Sequence, residues 1–118
     1  MAIHNEVGKQ GEDLGEKFLA AKGFIILHRN WRHGHCEIDI IALKNEIPHF
    51  VEVKTRSGGG YRLPEESVNR TKLRSLLSAA NGFLMRNRHY KDFRIDILSI
   101  IYHINAEPEY FFIEDVYF

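Results

Sequence analysis

The segment from Glu37 to Lys54 constrains the fold of this chain more than any other. Glu37-Ile38-Asp39-Ile40-Ile41 alternates charged and apolar residues with period two, and Phe50-Val51-Glu52-Val53-Lys54 does the same. Successive side chains of a strand point to opposite faces, so the pattern predicts two half-buried strands, with Ile38 and Ile40 on one side and Glu37 and Asp39 on the other. Between them, Lys44-Asn45-Glu46-Ile47-Pro48 has the polar and Pro content of a hairpin loop. A register that sets Asp39 opposite Glu52 also sets Glu37 against Lys54 and Ile41 against Phe50. Directly opposed residues have Cβ atoms about 5 Å apart, close enough for two carboxylates to share one hard divalent cation. Two such acids repel unless positive charge fills the gap, and Lys54 supplies part of it. The same residues also suit a solvated face with cross-strand ion pairs. Against that, Ile38, Ile40, Ile41, Val51 and Val53 give these strands a central character, and carboxylates on central strands are costly unless used.

At 118 residues the chain is long enough for one domain with a real core, spanning residues 1–118, and too short for two. Its 44% hydrophobic and 27% charged content are those of a soluble globular protein. A single cysteine, Cys36, excludes an internal disulfide framework and fits a reducing compartment. No signal-peptide run or membrane-length apolar stretch occurs, so the expectation is a cytoplasmic protein with no membrane partner. The net charge is zero, but its distribution is uneven. From Lys54 to Arg94 there are ten basic residues and three acidic ones, whereas residues 95–118 carry five acids and no Lys or Arg. The basic third begins at the lysine that ends the acidic strand pair. Phosphate is drawn to such a border, although a run of charge also suits a solvated face.

Periodicity places the remaining elements. A first helix is expected from about Asn5 to Lys22, with Val7, Gly11, Leu14, Phe18 and Ala21 as the buried stripe and Gly8, Glu12, Gly15 and Leu19 beside it. Each Gly costs a helix about 1 kcal/mol relative to Ala, so three in eight positions suggest that another backbone or a ligand comes close. Glu12 on this face is a candidate acid reaching toward the strand cluster, or equally a half-exposed helix residue. Asp13 and Glu16 are expected to point outward. Gly23 stops the helix, Phe24 to Leu27 forms a short strand, and His33-Gly34-His35-Cys36 reads as a loop, lacking the second ligand pair of a zinc module. Trp31 reads as an aromatic at the core edge. Thr55-Arg56-Ser57-Gly58-Gly59-Gly60-Tyr61-Arg62-Leu63-Pro64 reads as the most flexible stretch, suited either to a loop that closes over a substrate or to a simple connector. A second helix is predicted from about Asn69 to Asn87 with Leu73, Leu76, Leu77, Ala80, Phe83 and Leu84 inward. Arg70, Lys72 and Arg74 crowd its first turns, where cations oppose the macrodipole and an anion would relieve them. Strands at Phe93 to Ile101 and Tyr110 to Ile113 follow, with Ala106 to Glu109 turning between them. The order helix, three strands, helix, two strands predicts an α/β domain with a mixed sheet flanked by helices.

These residues carry a family resemblance. Gly8, Gly11-Glu12, Asn30-Trp31-Arg32, Glu37-Ile38-Asp39, Phe50 through Arg56, Val68 with Lys72, and Arg94-Ile95-Asp96 resemble the successive motifs of the YraN-like uncharacterised bacterial family. That family is similar to Holliday-junction resolvases of the restriction-endonuclease-like fold. The resemblance runs from about Gly8 to Ile97. It implies a mixed central β-sheet flanked by helices, with Asp39 and Glu52 as metal ligands, Lys54 as the catalytic lysine and Glu12 as the helix-borne acid. Two positions depart from the pattern: Ile38 stands where the signature has Pro, and Cys36 where many relatives have Gly.

The implied chemistry is hydrolysis of a phosphodiester, whose own charge repels a nucleophile, so a catalyst must neutralise charge and supply hydroxide. Mg²⁺, with Mn²⁺ as a substitute, would be held by Asp39, Glu52 and the backbone carbonyl of Val53. Arg56, Arg62, Arg70, Lys72 and Arg74 would contact phosphates of DNA, which position a duplex without reading its sequence. Cutting paired or branched strands would need a homodimer with two such sites. The alternative is a non-catalytic nucleic-acid-binding module that keeps the fold, with salt-sensitive binding and no Mg²⁺ requirement. A protein-interaction domain built on the aromatic, acidic segment Tyr110 to Phe118 is a third reading.

Overall fold

The computed structural model describes the backbone of residues 2–57 and 70–116, and the side chains of residues 9–57 and 70–116. Val7, Gly8 and the stretch from Gly58 to Asn69, which includes Arg62, therefore lie outside the described side chains. The elements run α1 (Ala2–Ala21), β1 (Ile25–His33), β2 (Cys36–Lys44), β3 (Ile47–Ser57), α2 (Arg70–Arg86), β4 (Arg94–His103) and β5 (Ala106–Ile113), the order expected from periodicity. The five strands form one mixed sheet in chain order, antiparallel throughout except for the parallel pair β3–β4 that α2 connects. Hairpins can join antiparallel neighbours, whereas a parallel pair needs a crossover, and α2 is that crossover. Among the described residues no helix is long and apolar enough to cross a membrane.

The helices cover opposite faces. Leu19 on α1 and Phe24 pack with Ile40, Ala42, Val51, Leu98 and Ile100, while Leu73, Leu76, Ala79, Ala80 and Phe83 on α2 pack with Ile41, Phe50, Ile95 and Ile97. Leu73, Leu76, Ala80 and Phe83 are buried as their spacing requires. On α1 the buried line is Gly11, Gly15 and Leu19, with Leu14 and Phe18 half-buried and Ala21 exposed. Gly11 and Gly15 answer to the sheet. A Cβ on Gly11 would overlap Cγ2 of Thr55, and one on Gly15 would sit 3.4 Å from Ile40, Val53 and Leu98. The helix ends at Gly23, whose φ of 93° lets the Phe24 and Gly23 amides return to the carbonyls of Leu19 and Ala20 at 3.0 and 3.1 Å.

Several sequence boundaries are corrected. The β2–β3 turn is only Asn45-Glu46, with φ of 53° and 68°, the double positive φ that a two-residue turn needs to match strand twist. Ile47 and Pro48 belong to β3, and β1 continues through Arg29-Asn30-Trp31-Arg32 instead of stopping at Leu27. Residues Ala106 to Glu109 are strand, because Ile104-Asn105 supplies the turn and Pro108 is tolerated in an edge strand, where its missing N–H costs nothing. Ile38 and Ile40 do not share a face: Ile38 packs on the α2 side and Ile40 on the α1 side. Strict alternation fails here, where the β2–β3 ladder ends at Ile40↔Val51 and where Asn30, on the other neighbouring strand between the pairs Arg29↔Ile40 and Trp31↔Ile38, has a left-handed φ of 52°.

Candidate metal centre

Asp39 and Glu52 meet where β2 parts from β3. The observed pairs Ile41↔Phe50 and Ile40↔Val51 are those of the expected register, and the next step along both strands brings Asp39 to Glu52. Instead of a ladder bond, the Val53 amide donates to Asp39 Oδ2 at 2.8 Å. A residue's N–H and C=O lie on the same strand edge, so the Val53 carbonyl faces the same opening. Burial and the charge of Glu52 push the Asp39 carboxyl up to about 8, against the opposing pull of the Val53 N–H; a hydrogen bond to Glu52 and the charge of Glu12 add to the rise. Glu52 is 2% exposed, and its Oε1 has no hydrogen-bond partner among the described residues. Its other oxygen lies 3.4 Å from Lys72 Nζ and 3.7 Å from Lys54 Nζ.

A buried carboxylate oxygen left without a donor is a costly arrangement. With Asp39 beside it, the opening is an all-oxygen donor set of the kind hard dications prefer. The residues present thus fit Mg²⁺, with Asp39, Glu52 and the Val53 carbonyl as the groups that would hold it.

The other expected site residues are distributed as follows. Lys54 is beside Glu52 and not opposite Glu37, which pairs with Arg32 at 3.0 Å on the far side of β2. The cause is the same early end of the β2–β3 ladder. Glu12 approaches closely enough for its charge to act on Asp39, but its Oε1 accepts from Arg29 at 3.2 Å and from Asn30 at 3.1 Å. Asp13 and Glu16, expected to point outward, also turn to Arg29, at 2.7 and 3.6 Å. Arg29 is therefore a cationic hub for three helix acids, a role the sequence does not signal because β1 runs on past its apolar stretch into polar residues. Lys72 comes off α2 onto Glu52, while Arg70 and Arg74 are exposed on the same first turns and Arg56 is half-buried near the end of β3. Trp31 packs edge-on to Phe83 at 5.6 Å, at the core margin as expected. The loop read at His33-Gly34-His35-Cys36 contracts to Gly34-His35, and His33 stacks on Trp31.

A buried His49–Asp96 pair was also missed. His49 Nδ1 and Asp96 Oδ2 are 2.6 Å apart, and the Asp115 amide donates to Asp96 Oδ1 at 2.8 Å. The available signal was a His and an Asp each embedded in an otherwise apolar strand, positions far apart in sequence that only the parallel β3–β4 pairing brings together.

Sequence comparison places this geometry in a family. Residues 11–100 match the model of Uncharacterised protein family UPF0102. A UPF0102 protein of Bacteroides thetaiotaomicron is 42% identical over 101 residues, covering 86% of this chain and 84% of its own. One from Flavobacterium johnsoniae is 43% identical over 113 residues, with 91% and 89% covered. One from Clostridium perfringens is 37% identical over 116 residues, with 97% and 95% covered. With matches this extensive, the chain belongs to the uncharacterised family UPF0102, the YraN-like family its motifs resemble.

Proposed function

We propose that this protein is a Mg²⁺-dependent endonuclease of the restriction-endonuclease-like fold, hydrolysing phosphodiester bonds in DNA, branched DNA included. One observation carries the reading: two carboxylates from neighbouring strands converge, and the more buried of them keeps an oxygen without a partner among the described residues. Asp39, Glu52 and the Val53 carbonyl would hold the ion; once bound, it supplies Lewis-acid stabilisation of charge at phosphate and acidifies water. Lys54 and Lys72 neutralise Glu52 in its absence. Were Glu52 to hold a dication, their ammonium groups would turn to meet the phosphate and its developing charge. Arg70 and Arg74, one turn apart on α2, extend that surface along the backbone of the nucleic acid, and Arg56 and Arg62 are the further contacts. Glu12, anchored by Arg29, acts on Asp39 through charge. Two copies of the chain, each with one site, would cut both strands of a junction.

The test is cleavage of supercoiled plasmid and of a four-way junction in Mg²⁺ and in Mn²⁺, with Asp39→Ala and Glu52→Ala alongside wild type. Cleavage by wild type alone is expected; equal activity in all three would assign it to a contaminant. The reading as a non-catalytic DNA-binding module has its own support, since two lysines compensate Glu52 without any metal. It calls for DNA binding that weakens with salt, is indifferent to EDTA and never yields product.

A further inference from the structure

A second set of ligating side chains lies three residues before Glu52 on β3, about 10 Å along the strand. It is on the other face of the sheet, under Phe24, whose ring meets the His49 ring edge-on at 4.8 Å. His49 is 7% exposed and Asp96 fully buried. Glu114, just past the end of β5, brings a second carboxylate, so that one imidazole nitrogen and two carboxylate oxygens lie within 4.8 Å of one another. Among the described residues this is the one place where three such donors converge.

Charge decides what the cluster suits. A neutral imidazole with two carboxylates carries −2, and a single protonated imidazole would leave one negative charge over. A dication offsets the charge of these three side chains. The donors also select among dications. Nitrogen with two oxygens is a borderline set suited to Zn²⁺ and its neighbours, whereas Mg²⁺ and Ca²⁺ favour oxygen alone. The Asp115 amide fixes the Asp96 carboxylate from behind, as outer partners do in built metal sites. An open cleft of about 360 Å³, lined by Lys22, Phe24, Lys44 and Glu114, reaches the cluster at its Glu114 side. We propose that His49, Asp96 and Glu114 form a binding site for a Zn²⁺-class transition-metal ion, separate from the Asp39–Glu52 centre and independent of the nuclease reading.

The experiment is titration of the chelator-stripped full chain with Zn²⁺ by calorimetry, with Co²⁺ as an absorbing substitute. One ion per chain in the micromolar range is expected, with visible Co²⁺ bands. Glu114→Gln, at an exposed position, should fold normally and weaken binding by about tenfold or more. His49→Gln should abolish it, and if that variant does not fold, Glu114→Gln decides. Asp39→Asn with Glu52→Gln should leave it intact. The assignment is overturned if no stoichiometric ion binds, if Glu114→Gln binds like wild type, if the Asp39/Glu52 variant loses the ion, or if His35→Ala does.

Discussion

Asp39 carries opposing demands. Its position on a central strand and the nearness of Glu52 raise its folded-state affinity for a proton, to about 8 from an ordinary 3.8. Between those values the folded state binds more protons than the unfolded one, so stability falls as pH rises. In EDTA the chain should be more stable to urea at pH 5 than at pH 8, the stability associated with this proton being lost as pH rises through about 8. Asp39→Asn should flatten that slope, and an unchanged slope would show that Asp39 is not the group responsible. Asp39 and Glu52 were legible in sequence because two strands joined by a short turn admit few registers, even though the alternation breaks at Ile38. His49 and Asp96 were not, because they lie 47 residues apart and meet only through the parallel β3–β4 pairing that the α2 crossover sets. Arg29 escaped for another reason: a lone cation after an apolar run looks like a strand end until the strand is known to continue.

At the scale of elements, α1 and the β2–β3 hairpin each depend on one local backbone requirement. Gly11 sits where Cγ2 of Thr55 leaves no room for a methyl group. Helix propensity alone would make Gly11→Ala stabilising by about 1 kcal/mol, but overpacking costs about 1–3 kcal/mol, so net destabilisation is expected. Thr55→Ser removes the offending methyl and should restore stability in the double variant. Failure of that rescue in chemical denaturation would place the strain elsewhere. In the hairpin, Glu46 holds a φ of 68° that costs a side-chain-bearing residue about 1–2 kcal/mol. Glu46→Gly creates the Asn-Gly pair such turns favour and should stabilise by about 1 kcal/mol. The stripe of α2 was readable because six apolar residues at helical spacing leave no other arrangement. The shape of α1 was not, since its buried line is glycine, whose packing depends on a partner strand that no local pattern reveals.

For the whole molecule, the order of elements was readable from sequence and the assembly of the site only in part. The β3–α2–β4 crossover brings Lys72 of the basic third onto Glu52 of the acidic strand pair, turning a border in the sequence into a contact in space. On the proposed nuclease reading, Arg70, Lys72 and Arg74 are phosphate contacts. Arg70→Ala with Arg74→Ala should weaken binding to all duplexes alike and reduce the slope of log K against log salt by about 2. A sequence-selective loss would instead place them at base edges. The most direct measurement of the paired-carboxylate centre is the anomalous signal from a crystal soaked in Mn²⁺. An ion between Asp39 and Glu52, in contact with an oxygen of each, is the expected result. Saturating Mn²⁺ with no density between those two side chains would contradict it.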